Sequence, residues 1–89
     1  MLVLKRKEGE WVEIVQYGVT VKVARVIDSQ SVWLWVDGKA YGPMREGEKL
    51  KIGEVTLCIT GFHGSRVKLC FDAPKDIEIL RSELLRGAA

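Results

Sequence analysis

Residues 47–59 read Gly47-Glu48-Lys49-Leu50-Lys51-Ile52-Gly53-Glu54-Val55-Thr56-Leu57-Cys58-Ile59, and this stretch decides the fold class. Leu50 and Ile52 alternate with Lys49 and Lys51, and beyond Gly53-Glu54 the residues Val55, Leu57 and Ile59 alternate with Thr56 and Cys58. A period of two is the spacing of side chains on one face of a strand, so the stretch predicts two half-buried strands joined by a turn. The same alternation recurs on both sides. Arg66 to Asp72 follows it towards the C-terminus. Towards the N-terminus lie Val32 to Val36, apolar on both faces, and Val19 to Val26, with Val19, Val21 and Val23 on one face. Trp11 to Ile14 precedes them, and Met1 to Lys7 sets Leu2, Leu4 and Arg6 against Val3, Lys5 and Lys7. Glu8-Gly9-Glu10, Asp28-Ser29-Gln30-Ser31 and Asp37-Gly38 supply turn chemistry between them. Helical spacing is nearly absent, and the chain is read as mostly β.

Two further segments complete the reading. Lys39 to Glu46 is taken as a linker, because Gly42 offers no side chain and Pro43 no N–H to a strand. Asp76 to Arg81, with Ile77, Ile79 and Arg81 on one face, is taken as the last strand. Ser82-Glu83-Leu84-Leu85-Arg86 then predicts a short helix capped by Ser82, ahead of a fraying Gly87-Ala88-Ala89.

The composition narrows the class of function. An 89-residue chain that is 47% hydrophobic and 29% charged is expected to form one soluble domain around one core. No apolar run approaches the roughly eighteen residues of a membrane span, and no export signal is visible in MLVLKRKEGE. Cys58 and Cys70 lie inside apolar runs and read as reduced, buried thiols of a cytoplasmic protein. With His63 they do not make a closed zinc set, which takes about four ligands. No cofactor or metal is expected. Asp72, Asp76 and Glu78 have neither the spacing nor a neighbouring nucleophile for acid/base catalysis, so the chain is not read as an enzyme. The net charge is only +2, and any attraction to nucleic acid must come from local clustering such as Lys5-Arg6-Lys7.

The two halves of the chain also resemble each other. Gly9-Glu10-Trp11-Val12-Glu13-Ile14 matches Gly47 to Ile52, Val19 to Val23 matches Val55 to Ile59, and Ser31 to Asp37 matches Arg66 to Asp72. Three matches in one order predict an internal duplication, with copies at about 9–38 and 47–73, a first strand at 1–7 and a last strand at 76–81.

The chain ends carry a more specific signal. Met1-Leu2-Val3-Leu4-Lys5-Arg6-Lys7-Glu8-Gly9-Glu10 resembles the first strand and turn of the carbon storage regulator (CsrA/RsmA) family of bacterial RNA-binding proteins. So does the closing stretch: Gly47-Glu48, Ile52-Gly53, Val55-Thr56, Gly64, Val67 and Ala73-Pro74-Lys75, leading through Ile77, Ile79, Arg81 and Glu83. The resemblance implies a small β-barrel or sandwich with a short C-terminal helix, built as an interleaved dimer in which the first strand of one subunit lies beside the last strand of the other. It implies two RNA sites per dimer for GGA-containing single-stranded or hairpin-loop segments of mRNA leaders or small RNAs, and an effect on translation. The family's basic anchors fall on Arg6 and Arg81, with Leu4 and Ile79 as apolar neighbours; Lys5 and Lys7 complete the candidate set. Lys5 stands where Thr is common, Lys7 where Arg is common and Leu80 where His is frequent. Lys keeps the charge of Arg but not its planar fork.

On this resemblance the favoured architecture is a monomeric pseudo-dimer, in which the N- and C-terminal strands of one chain pair and form one site; a homodimer is the alternative. Arg45-Glu46 echoes the Arg-containing end of the family's last strand, and that edge is expected to bind RNA poorly. Two other functions remain open, a protein-interaction module that has lost RNA binding and a generic β-sandwich recognition domain. Trp33 and Trp35 share a strand face, where burial against the opposite half is expected and base stacking beside Lys22 or Arg25 is the alternative. Trp11 is read in the same way.

Overall fold

The computed structural model describes residues 1–81, and the helix expected from Ser82 lies outside them. Nine strands run antiparallel in two sheets: β1 (Leu2–Lys7), β2 (Trp11–Ile14), β3 (Val19–Ile27), β4 (Ser31–Val36), β5 (Lys39–Arg45), β6 (Lys49–Ile52), β7 (Val55–His63), β8 (Arg66–Asp72) and β9 (Ile79–Arg81). Sheet A has the order β1-β8-β7-β6, and sheet B the order β5-β4-β3-β2-β9. A 3-10 turn, Val15–Tyr17, joins β2 to β3.

Alternation dictates which residues meet between the sheets. Val12, Ile14, Val21, Val23, Val32 and Leu34 from sheet B join Leu4, Val55, Leu57, Ile59, Val67, Leu69 and Phe71 from sheet A in one buried cluster. Side chains of opposite parity point outward. Two polar contacts tie the layers together at their ends: the Tyr17 hydroxyl accepts from the Glu54 N–H at 3.0 Å, and Ser29 Oγ donates to the Gly64 carbonyl at 2.6 Å.

The same backbone pattern occurs in both sheets. In sheet B, Trp11 lies opposite Lys22, Lys22 opposite Trp35 and Val23 opposite Leu34, with an irregularity between Val23 and Arg25. In sheet A, Lys49 lies opposite Cys58, Cys58 opposite Cys70 and Ile59 opposite Leu69, with an irregularity between Ile59 and Gly61. The turns before the two meanders correspond bond for bond. Gly9 N–H donates to the Val23 carbonyl and Gly47 N–H to that of Ile59, at 2.9 and 2.7 Å. Lys7 N–H donates to Glu10 Oε1 at 3.0 Å, and Arg45 N–H to Glu48 Oε1 at 2.6 Å. Gly9 and Gly47 adopt φ of 89° and 91°, a region that a side chain disfavours.

Several expectations need correction. Lys39–Arg45 is a strand, not a linker: Asp37 and Gly38, both with positive φ, make a two-residue hairpin turn that returns the chain along β4. Gly42 and Pro43 are absorbed by an irregularity in that pairing, where Val32 faces Met44 but Leu34 faces Tyr41. Gly42 suits the site because a Cβ there would come within 2.9 Å of the Val32 carbonyl oxygen and 3.1 Å of the Trp33 ring. Arg45-Glu46 therefore corresponds to Lys7-Glu8 at the end of the first strand, not to the end of a last strand. Trp33 and Trp35 lie on the outside of sheet B, since Val32, Leu34 and Val36 take the inward positions of β4. Only Ile79–Arg81 of the expected last strand is extended in a ladder; Ile77 belongs to a turn in which its N–H donates to the Pro74 carbonyl at 3.0 Å.

Leu34 and Leu69 occupy corresponding places in the two sheets and both are fully buried. Leu34→Ala and Leu69→Ala should each lower stability by about 2–5 kcal/mol, in a single urea transition with unchanged slope. Two separate transitions would show that the sheets do not share one core.

Candidate nucleic-acid interface

The candidate residues lie on two sheet edges. β1 pairs with β8, Leu2 facing Phe71 and Arg6 facing Val67. β9 pairs with β2, Ile79 facing Ile14 and Arg81 facing Val12. The expected pairing of the N- and C-terminal strands with each other is thus corrected: each strand satisfies its ladder on the meander of a different sheet, and the two stand at neighbouring edges. A cleft of about 200 Å³ between them is lined by Met1, Leu2, Phe71, Ala73, Ile77 and Ile79.

Register sorts the side chains. Residues directly opposite one another share a face, so Leu4, Arg6, Ile79 and Arg81 project from the inner faces, whereas Lys5 and Lys7 project outward from sheet A. Leu4 is a core residue at 2% exposure, and Ile79 packs against the core at its margin. Arg6 is 7% exposed; its Nε donates to the Lys5 carbonyl at 2.8 Å and lies 3.9 Å from Glu10 Oε1. Arg81, Lys5 and Lys7 are exposed. Glu10 is two residues ahead of Val12, the neighbour of Arg81, so the two arginines mark one end of the edge pair and Leu2 with Ile79 the other.

The opposite end of the sandwich is built differently. β5 flanks β4 as β1 flanks β8, but Met44 occupies the place of Arg6, opposite Val32 as Arg6 is opposite Val67. Among the described residues no strand lies outside β6 as β9 lies outside β2. No group of three or more His, Cys, Asp or Glu able to hold a metal occurs among the described residues, and no helix there is long and apolar enough to cross a membrane.

Residues 44–89 match the CsrA family, described as a global regulator protein family. The chain belongs to the CsrA family. A relative is the translational regulator CsrA of Hydrogenovibrio crunogenus, 48% identical over 42 residues, which cover 46% of this chain and 60% of that protein. The match therefore stops short of two thirds of the relative's length. No solved structure matches the chain. Membership in a family of global regulators agrees with the lack of catalytic spacing, and CsrA-type β structure is what both sheets display.

Sequence reading missed the Glu10 and Glu48 carboxylates that close the two turns. Their signal was present as the repeated Glu-Gly-Glu of residues 8–10 and 46–48. The enclosure of most of the Arg6 side chain by protein was not legible there either.

These environments separate the two arginines experimentally. Arg6→Ala removes a buried stem and its hydrogen bond and should cost about 1–3 kcal/mol of stability, whereas Arg81→Ala should stay within about 0.5 kcal/mol of the parent. Thermal melts of both variants check this; equal losses would mean that Arg81 is structural as well.

Proposed function

We propose that this CsrA-family chain is a sequence-selective RNA-binding, post-transcriptional regulator that acts in the cytoplasm on GGA-containing single-stranded or hairpin-loop mRNA segments and alters their translation. We further propose that it works as a monomeric pseudo-dimer with one site. One observation carries the reading: a first-strand edge and a last-strand edge, from opposite ends of one chain, flank a shared cleft lined by Leu2, Ile77 and Ile79, with Arg6 further along β1 and Arg81 further along β9. The family resemblance assigns neighbouring first- and last-strand edges to two subunits, and the origin of both edges in one chain supports the pseudo-dimer reading.

The chemistry suits single-stranded RNA. β1 and β9 are both edge strands, so backbone N–H and C=O groups along their free sides are open to bases, while Arg81 offers a planar guanidinium to phosphate or a base edge. Leu2, Ile77 and Ile79 give the cleft an apolar floor. At the opposite end Met44 replaces the buried arginine and the last strand is missing among the described residues, which argues for one site instead of two.

A second reading, a protein-interaction module on the same fold, is favoured by Trp35, which is 51% exposed on the outside of sheet B beside Lys22. One titration separates the two. A hairpin displaying GGA should bind with a stoichiometry of about one RNA per chain, and light scattering should give the mass of a single chain in the complex. Changing the loop sequence should abolish selectivity, and Arg81→Ala should weaken binding by about tenfold or more, as expected for the loss of a charge-assisted hydrogen bond of about 1.5–3 kcal/mol. Absence of any preference for GGA would sink the RNA reading; a dimer with two RNAs would sink the single-site architecture.

A further inference from the structure

The outer face of sheet A carries a charge arrangement that the cleft does not use. Lys5 and Lys7 on β1, Arg66 and Lys68 on β8, and Lys49 and Lys51 on β6 all project from it. Register places Lys5 opposite Lys68 and Lys7 opposite Arg66, two like-charge pairs on adjacent strands. Such pairs have Cβ atoms about 4.5–5.5 Å apart and destabilise a sheet unless something neutralises them. Asp72 is the one carboxylate projecting from this face among the described strands, and it faces Thr56. None of the six cations makes an ion pair among the described residues.

The fold does not demand these charges. Corresponding backbone positions in sheet B hold Trp11 for Lys49, Glu13 for Lys51, Ser31 for Arg66 and Trp33 for Lys68. The two outer faces have the same register and different character, one cationic and the other carrying Trp11, Trp33 and Trp35 beside Lys22 and Arg25. With neighbouring strands about 4.8 Å apart, the basic face is about 14 Å wide from β1 to β6. It begins on β1, the strand that also forms one wall of the cleft, so a chain leaving the cleft over β1 meets this surface next.

We propose that the outer face of sheet A is a second contact surface for RNA, binding the sugar-phosphate backbone of single-stranded sequence that flanks the segment held at the cleft. The inference rests on the RNA-binding reading above and adds to it a sequence-independent, salt-sensitive extension through Lys49, Lys51, Arg66 and Lys68. Charge complementarity identifies the occupant as a polyanion, and continuity with β1 identifies it as the same RNA.

The test compares three RNAs: a minimal GGA hairpin, the same hairpin with ten-nucleotide single-stranded flanks, and a 20-mer without GGA. Lys49→Ala/Lys51→Ala/Lys68→Ala is measured beside a control that removes the same charge from sheet B, Lys22→Ala/Arg25→Ala/Lys39→Ala, with thermal melts establishing that both fold. On the minimal hairpin the sheet A variant should match the parent. On the flanked hairpin the salt slope should fall by about 2, three phosphates at about 0.7 each, so that the loss of affinity between 50 and 200 mM salt shrinks about twentyfold. Its residual binding to the 20-mer should fall as well. Flanked and minimal hairpins behaving alike, or the control losing as much as the sheet A variant, would overturn the proposal while leaving GGA recognition intact. If the parent shows no preference for either GGA hairpin over the 20-mer, the RNA reading itself fails.

Discussion

The structure depends on a transfer of the chain between sheets, made twice by the same four-residue device. At Lys7–Glu10 and at Arg45–Glu48, a glutamate carboxylate accepts the N–H at the end of an edge strand, and the intervening glycine N–H bonds to a carbonyl in the opposite meander. Each device ends a strand in one sheet and starts the next strand in the other. The two sheets are therefore fastened by backbone and carboxylate hydrogen bonds at both corners, in addition to their shared apolar interior. β1 could not lie beside β8, nor β5 beside β4, if the chain stayed in one layer at these points.

Most of the strands were legible in the sequence because inward and outward residues alternate cleanly, as in Leu2/Leu4/Arg6 and Val55/Leu57/Ile59. Lys39–Arg45 was not, because Gly42 and Pro43 are poor strand residues and the irregularity that accommodates them is a property of the partner strand. Asp37-Gly38 did carry the signal for a return strand, read too readily as a stop. The inward position of Arg6 followed from parity with Leu2 and Leu4, but its enclosure did not, because burial of a charged residue depends on Glu10 and the Lys5 carbonyl arriving beside it. The pairing partners of β1 and β9 were beyond local reasoning altogether, since they lie about sixty to seventy residues away in sequence.

Formal net charge conceals how unevenly the chain distributes its ions. Cations at alternate positions, such as 49/51 and 66/68, look unremarkable one strand at a time, and antiparallel register converts them into a single surface. The same conversion on sheet B brings Trp11, Lys22 and Trp35 into a row. One backbone pattern thus presents two chemically distinct exteriors, because outward positions bear none of the packing constraints that keep most of the interior to Val, Leu, Ile and Phe.

The long-range pairing of β1 with β8 and of β2 with β9 also has a kinetic consequence. The β3–β4 and β7–β8 hairpins close over a few residues, whereas Leu2 must find Phe71 and Ile79 must find Ile14 across nearly the whole chain. Closing such loops carries an entropic cost of about (3/2)RT ln n before any contact repays it. The meanders should therefore assemble first and the two edge strands dock last. Because the cleft exists only where those late-docking strands meet, its opening and closing can be governed by local fraying that leaves the rest of the sandwich intact.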